Sequence, residues 1–372
     1  MNTTTPRLFI AATEQNVGKT TTCLGLYAAL RPALAKIGFI KPVGQRFVEV
    51  EGKRIDEDSV LIQQTFGTEI PIEDMSPIAV EPDFTRRYIN HANHDALVRR
   101  IQHSFDRSAW EKDFVIIEGT GHAGVGSVFD LSNAKVASIL HSKVVLVTPG
   151  GIGRPIDEAV LNKALFDREG VEFLGVVINK VRPEKFEQTL EFGRKGLARL
   201  GIELLGVIPE EPILMKPTLR EVCERIRGQF IIGENSGRLS ATNIVVAAMT
   251  SSNLRKDLRP GSLVITPGDR EDIILACASD QFDNRAVSGL VLSEGLQPHE
   301  TVLNMIRTAG LPIITSELDA FTIASRIHSM TIKTLPGDDQ KISRIQELIG
   351  QHLDVARIRE LLGLSAAAEV VG

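Results

Sequence analysis

Three adjacent residues, Gly18-Lys19-Thr20, are the part of this sequence best suited to chemistry. A lysine ammonium can bridge the terminal phosphates of a nucleotide and a threonine hydroxyl can hold Mg²⁺. Backbone N–H groups converging on a helix N-terminus can cradle the anion. That arrangement requires strand, loop and helix in order. The apolar run Leu8-Phe9-Ile10 precedes the loop Ala11 to Thr21, and an alternation of helical period follows from Thr20 to Leu34. The usual pattern G-x-x-x-x-G-K-[ST] lacks its first glycine here, where Thr13 stands. The candidate cofactor-binding residues are therefore Thr13, Asn16, Val17, Gly18, Lys19, Thr20 and Thr21, and the cofactor expected is ATP with Mg²⁺. The competing reading is a chance Gly-Lys-Thr at the start of a helix.

Other polar residues stand at the ends of apolar runs. Glu118 follows Phe114-Val115-Ile116-Ile117 and precedes Gly119-Thr120-Gly121. It suits a metal-bound carboxylate, with helix or turn capping as the alternative. Lys41 closes the run Ile37 to Ile40 and is either a cation for substrate or phosphate, or an exposed lysine. In the acidic run Asp56-Glu57-Asp58, a solvated loop is the ordinary reading, while Asp58 is placed to open a helix and act as a second metal ligand. Asn179, after Val176-Val177-Ile178, either reads a base edge or closes a turn. His122 is a lone histidine in a glycine-rich loop and is assigned nothing. Further on, Thr266-Pro267-Gly268-Asp269-Arg270 lies between a strand and a helix, and Ser293-Glu294-Gly295 follows the run Leu290 to Leu292. Asp269, Arg270, Ser293 and Gly295 form a candidate ligand loop on a helix N-terminus, with Asp269 as a plain N-cap the alternative.

To bring these residues together, the chain must be a parallel sheet. Short apolar runs alternate with amphipathic segments, including Leu8–Ile10, Ile37–Ile40, Phe114–Ile117, Val144–Val147, Leu174–Asn179 and Leu204–Ile208 as strands. The fold class expected is α/β, a doubly wound and mainly parallel sheet followed by a smaller α/β domain. Prolines at positions 209, 212 and 217 mark the boundary, and Thr218 with Glu221 has capping-box spacing. The expected domains are 1–216, 217–353 and a C-terminal helix and tail at 354–372.

At 372 residues the chain can carry two cores, and 43% hydrophobic with 24% charged residues is ordinary for a globular protein. A net charge of −5 gives no reason to expect nucleic acid or an anionic membrane as partner. Cys23, Cys223 and Cys277 are far apart and form no C-x-x-C pair, which argues against a disulfide framework or zinc site. No apolar stretch approaches the roughly 20 residues of a spanning helix, and the start lacks signal-peptide character. A cytoplasmic location is expected.

With these residues in place, residues 1 to about 216 resemble dethiobiotin synthetase and the related P-loop domain at the N-terminus of long-form phosphate acetyltransferases. The likeness runs through Val17-Gly18-Lys19-Thr20, Lys41-Pro42-Val43, Asp58, Glu118-Gly119, Gly150-Gly151 and Val177-Ile178-Asn179. Residues 217 to 353 resemble the DRTGG domain that follows it in those enzymes, on Gly261 to Thr266 and Asp269-Arg270. The resemblance implies Lys19 and Thr20 on phosphate and Mg²⁺, Asp58 and Glu118 as metal ligands, Lys41 near a carbamate substrate, and Asn179 at adenine. Lys19 and Lys41 would be the catalytic pair.

The sequence departs from the synthetase at Thr13-Glu14-Gln15, at Gln45 and at Thr120-Gly121-His122, and from the DRTGG pattern at Ser293-Glu294-Gly295. It ends where an acetyltransferase catalytic domain would begin, so acetyl transfer is not expected. The resemblance implies a homodimer. Two functions are expected in turn: an ATP-Mg²⁺-binding sensor or regulator with a small-molecule effector, or an ATP-dependent ligase of the dethiobiotin synthetase or cobyrinic acid a,c-diamide synthase type acting on an acid substrate. A scaffold with a decayed loop is the third.

Overall fold

The protein is described by a computed structural model covering residues 1–280 and 287–364. The tail Ser365 to Gly372 lies outside the described residues. The chain forms two compact units, one of Met1–Glu211 together with the chain from Thr334 on, the other of Pro212–Lys333.

The first unit is built on six parallel strands: β1 (Arg7–Ala12), β2 (Ile37–Ile40), β3 (Phe114–Glu118), β4 (Lys143–Thr148), β5 (Phe173–Val181) and β6 (Leu204–Pro209). Their spatial order is β6-β5-β4-β1-β3-β2. This is the expected doubly wound sheet. Every residue of β1 and β3 is buried, because helices cover both faces and both side-chain rows must be apolar. The helix α1 (Lys19–Leu30) starts at the phosphate loop and stops before Pro32, short of the expected Leu34, since proline cannot continue the hydrogen-bond ladder. Asp56 caps the next helix, α2 (Glu57–Phe66), by accepting from the Asp58 N–H.

The polar stretch before α2 holds an antiparallel hairpin, Phe47–Val50 with Lys53–Asp56. It turns at Glu51 and Gly52, both with positive φ. Its strands are largely exposed, so no apolar alternation marks them in the sequence.

The second unit contains a five-stranded sheet of β7 (Gln229–Ile232), β8 (Asn243–Val246), β9 (Ser262–Pro267), β10 (Gly289–Ser293) and β11 (Ile313–Thr315), ordered β7-β11-β10-β9-β8. Among the described residues of this sheet, only the β7–β11 pair is antiparallel. Val264, Leu290 and Leu292 pack on one face and Leu263, Ile265 and Val291 on the other. The Thr218–Glu221 capping box forms as its spacing predicts.

The division of the chain differs from the expected 217–353 domain and separate 354–372 end. The helix spanning Asp339–His352 packs along α1, and Leu353 bridges to Gly206 on the free edge of β6. The close approach to α1 depends on Gly25, where a Cβ would fall inside the Ile349 side chain. Replacing Gly25 with valine overpacks this contact and should cost about 1–3 kcal/mol, seen as a lowered midpoint in calorimetry. An unchanged midpoint would show that the two helices do not depend on the approach.

Candidate functional site

All strands of the first sheet run the same way, so their C-terminal ends share one edge, where an open α/β sheet binds ligands. β1 lies between β4 and β3, and the loop leaving β1 carries Gly18-Lys19-Thr20. Gly18 sits at the N-cap of α1 with φ 104°, a left-handed conformation that glycine adopts without strain. Thr13, in place of the absent first glycine, is buried, and its N–H donates to the Val147 carbonyl at 3.0 Å.

Three further sequence candidates, Lys41, Asp58 and Glu118, meet this loop. The Thr20 hydroxyl donates to Glu118 Oε1 at 2.8 Å. Lys41 Nζ, arriving from the end of β2, lies 3.8 Å from the same oxygen, 2.9 Å from Asp56 Oδ1, and is hydrogen-bonded to Asp58. Lys19 Nζ is near the Glu14 carbonyl at 3.4 Å. Lys19, Lys41, Asp58 and Glu118 are all buried.

Asp56 belongs to this cluster, although in the run Asp56-Glu57-Asp58 only Asp58 stood out from sequence. The available signal was capping: an aspartate two residues before the helix residue it caps must lie beside it. Gly44 makes room for Asp56, since a Cβ there would lie 2.6 Å from Asp56 Oδ2.

Burial acts on Glu118, Lys41, Lys19 and Asp56. It pushes Glu118 up to about 7, with Asp58 adding to the rise and Lys41 and Thr20 opposing it. It pulls Lys41 down, but Asp58, Glu118 and Asp56 together outweigh it and hold that ammonium well above the ordinary lysine value. Lys19 is lowered by burial, against the pull of Glu118. Glu118 Oε2 and Asp56 Oδ2 are buried without a hydrogen-bond partner. A hydroxyl and carboxylates make an all-oxygen set, the chemistry that suits Mg²⁺. Among the described residues no three His, Cys, Asp or Glu side chains are arranged to hold a metal by themselves. An ion here would complete its shell with phosphate oxygens and water, as Mg²⁺ does.

Asn179 meets the phosphate loop at the end of β5. Its side-chain amide donates to the Val17 carbonyl at 2.7 Å, on the back of the phosphate loop. The Gln15 amide donates to Gln45 Oε1 at 3.0 Å. A cavity of about 510 Å³ opens beside Lys36, His103 and Trp110, at the opposite edge of the sheet from this chemistry.

In the second unit Pro267 and Ser293 are register partners, so the loops bearing Asp269-Arg270 and Gly295 leave one sheet edge. The Thr266 and Ser293 hydroxyls are fully buried and lack partners. The Arg270 guanidinium is bound by Asp272 at 2.8 Å and by the Met249 carbonyl at 3.0 Å. A Cβ on Gly295 would lie 2.5 Å from a Glu317 carboxylate oxygen, and Gly295 has φ 65°.

The rise of Glu118 from 4.5 to about 7 fixes a sign. Between those values the folded state binds the proton that the unfolded state has released, so stability falls as pH rises through this window and stays lower above it. Glu118→Gln keeps the shape without the charge. Relative to the wild type without nucleotide, it should gain about 3 kcal/mol in stability between pH 4.5 and pH 8. Denaturant unfolding of both proteins across this range measures it, and a difference independent of pH would refute the shift.

Comparison with known proteins agrees with this geometry. Residues 6–218 match the AAA domain of the AAA_26 type, and residues 221–330 match the DRTGG domain. The phosphate acetyltransferase of Pseudomonas putida is 29% identical over 375 residues, covering 95% of this chain and 52% of that protein. That of Deinococcus radiodurans is 26% identical, covering 95% and 51%. The chain thus spans about half the length of the curated relatives it matches. Solved structures give remoter likenesses: the MinD cell division protein of Aquifex aeolicus is 16% identical, covering 56% of this chain and 84% of that one, with a TM-score of 0.35. The CBS and DRTGG domains of Clostridium perfringens pyrophosphatase, complexed with diadenosine tetraphosphate, are 24% identical, covering 36% and 54%, with a TM-score of 0.28. With a match over more than half its length that begins before the phosphate loop and ends after β6, the chain belongs to the AAA domain family of the AAA_26 type, joined here to a DRTGG domain.

Proposed function

We propose that the protein is a nucleotide-responsive regulator, binding ATP with Mg²⁺ at the edge of the first sheet and a small-molecule effector at the corresponding edge of the second. The observation that carries the reading is the Thr20 hydroxyl on Glu118 directly beside Gly18 and Lys19, with Asp58 reaching the same group through Lys41. When bound, Mg²⁺ would neutralise phosphate charge between Thr20 and the carboxylates of Glu118 and Asp58. Lys19 would meet the terminal phosphates, and the amides from Thr13 to Thr21 would line them.

The effector loop is that of Asp269, Arg270, Ser293 and Gly295. Its acidic surroundings, Asp269, Glu271, Asp272 and Glu317, and the capture of Arg270 by Asp272, favour a neutral or cationic effector over a phosphate. Each ligand then alters the affinity of the other, because a coupling free energy is reciprocal. The protein acts in the cytoplasm as a homodimer. A net charge of −5 argues against nucleic acid, and among the described residues no helix is long and apolar enough to cross a membrane.

A ligase would need the Lys41 ammonium at an acid substrate. That ammonium is enclosed by Asp56, Asp58 and Glu118, which favours the regulatory reading. Any ligand of the native state raises its stability, by about 2.7 kcal/mol at a hundredfold excess over Kd. ATP with Mg²⁺ should therefore raise the melting temperature of the full chain, and Lys19→Ala should lose most of that shift. If millimolar ATP with Mg²⁺ leaves the wild-type midpoint unmoved, the reading is wrong.

A further inference from the structure

A loop that turns successive N–H groups inward to an anion must turn carbonyls of the same peptides outward, and each outward carbonyl needs a donor once it is buried. Here the loop takes that shape with Asn16 at φ 62° and Gly18 at φ 104°. The outward carbonyls of Asn16 and Val17 are met by two neighbouring side chains from the end of β5. Lys180 Nζ donates to the Asn16 carbonyl at 2.7 Å, and Asn179 Nδ2 donates to the Val17 carbonyl at 2.7 Å.

The pair is itself held. Asn179 Oδ1 accepts from the Lys180 N–H at 2.8 Å, which fixes the orientation of the amide, because the flipped form would set its oxygen against the Val17 carbonyl. Only 4% of Asn179 is exposed. Lys180 has φ 57°, and the loop leaving β4 presses against its backbone at Gly150, where a Cβ would lie 2.6 Å from the Lys180 carbonyl oxygen. The amide of Asn179 also occupies the space that a side chain on Gly18 would need.

We propose that Asn179 and Lys180 are positioning residues that clamp the outer carbonyls of the phosphate loop, and that their contribution to nucleotide binding is made through phosphate and not through the base. The proposal rests on the nucleotide-binding reading above. It reassigns Asn179 from the adenine to the loop, adds Lys180, and gives Gly150 the role of seating that lysine.

Calorimetric titration of the full chain with Mg²⁺ and two probes, ATP and inorganic tripolyphosphate, tests it. Asn179→Ala and Lys180→Met should each weaken both probes by the same factor, on the order of tenfold. Lys180→Arg, which keeps a donor for the Asn16 carbonyl, should recover most of the loss. The Lys180 effect should persist at high salt, where a mere charge effect on the probe is screened. Asn179→Ala weakening ATP while leaving tripolyphosphate unchanged would overturn the proposal in favour of base recognition. So would a Lys180→Met protein with normal tripolyphosphate affinity, and this exposed position decides the matter if Asn179→Ala does not fold. Wild-type protein that binds neither probe would overturn the nucleotide reading itself, an outcome distinct from the other two.

Discussion

Lys41 and its three carboxylates form the constraint on which the first unit turns. Six parallel strands deliver their polar C-terminal residues to one edge, where the loops above them exclude water. An unpaired charge in such a place costs several kcal/mol, so the carboxylates of Asp56, Asp58 and Glu118 are tolerable only around a shared cation. One ammonium does not balance three carboxylates. Burial, with Asp58 adding to it, pushes the Glu118 carboxyl up to about 7, and one of its oxygens is buried without a hydrogen-bond partner. Surplus buried oxygen beside a threonine hydroxyl and a helix N-terminus is what the proposed divalent cation and its accompanying anion would use.

The loops that close this edge depend on places where side chains are missing. Gly18 supplies the left-handed turn into α1, Gly44 leaves space for Asp56, and Gly150 lets the loop after β4 rest on Lys180. Each is a point where two backbones, or a backbone and a buried carboxylate, approach more closely than a Cβ permits. The helix carrying the phosphate loop is braced in the same manner, since Gly25 allows the Asp339–His352 helix to lie against α1. The chain that returns after the second unit thus contributes to the stability of the element that presents Lys19 and Thr20.

The two sheets apply one topological rule to different chemistry. In both, the loops at the C-terminal strand ends gather polar residues. The first edge combines two lysines with carboxylates and a left-handed glycine, the set on which the proposed phosphate and metal would rest. In the second, buried hydroxyls from Thr266 and Ser293 lie beneath loops whose one arginine, Arg270, is already paired. Asp269 and Arg270 share their edge with Ser293 and Gly295, but the guanidinium is not free for an anion.

Much of this was written in local pattern. The six strands, the phosphate loop and the shared edge of Lys19, Thr20, Lys41, Asp58 and Glu118 follow from apolar runs and the residues that end them, because a strand buried on both faces has no other way to look in sequence. The Thr218–Glu221 cap was equally legible, its partners being three residues apart. The sequence alone could not reveal the hairpin before α2, whose exposed strands carry no alternation, or the return of the chain from Thr334 to the first unit, which depends on a shape match between Gly25 and Ile349. Nor could it orient Asn179. An asparagine at a strand end is consistent with reading a base edge or closing a turn, and only the tertiary fold shows its amide 2.7 Å from the Val17 carbonyl. Local sequence determines which groups arrive at an edge; the distances at which they meet are set by packing between elements far apart in the chain.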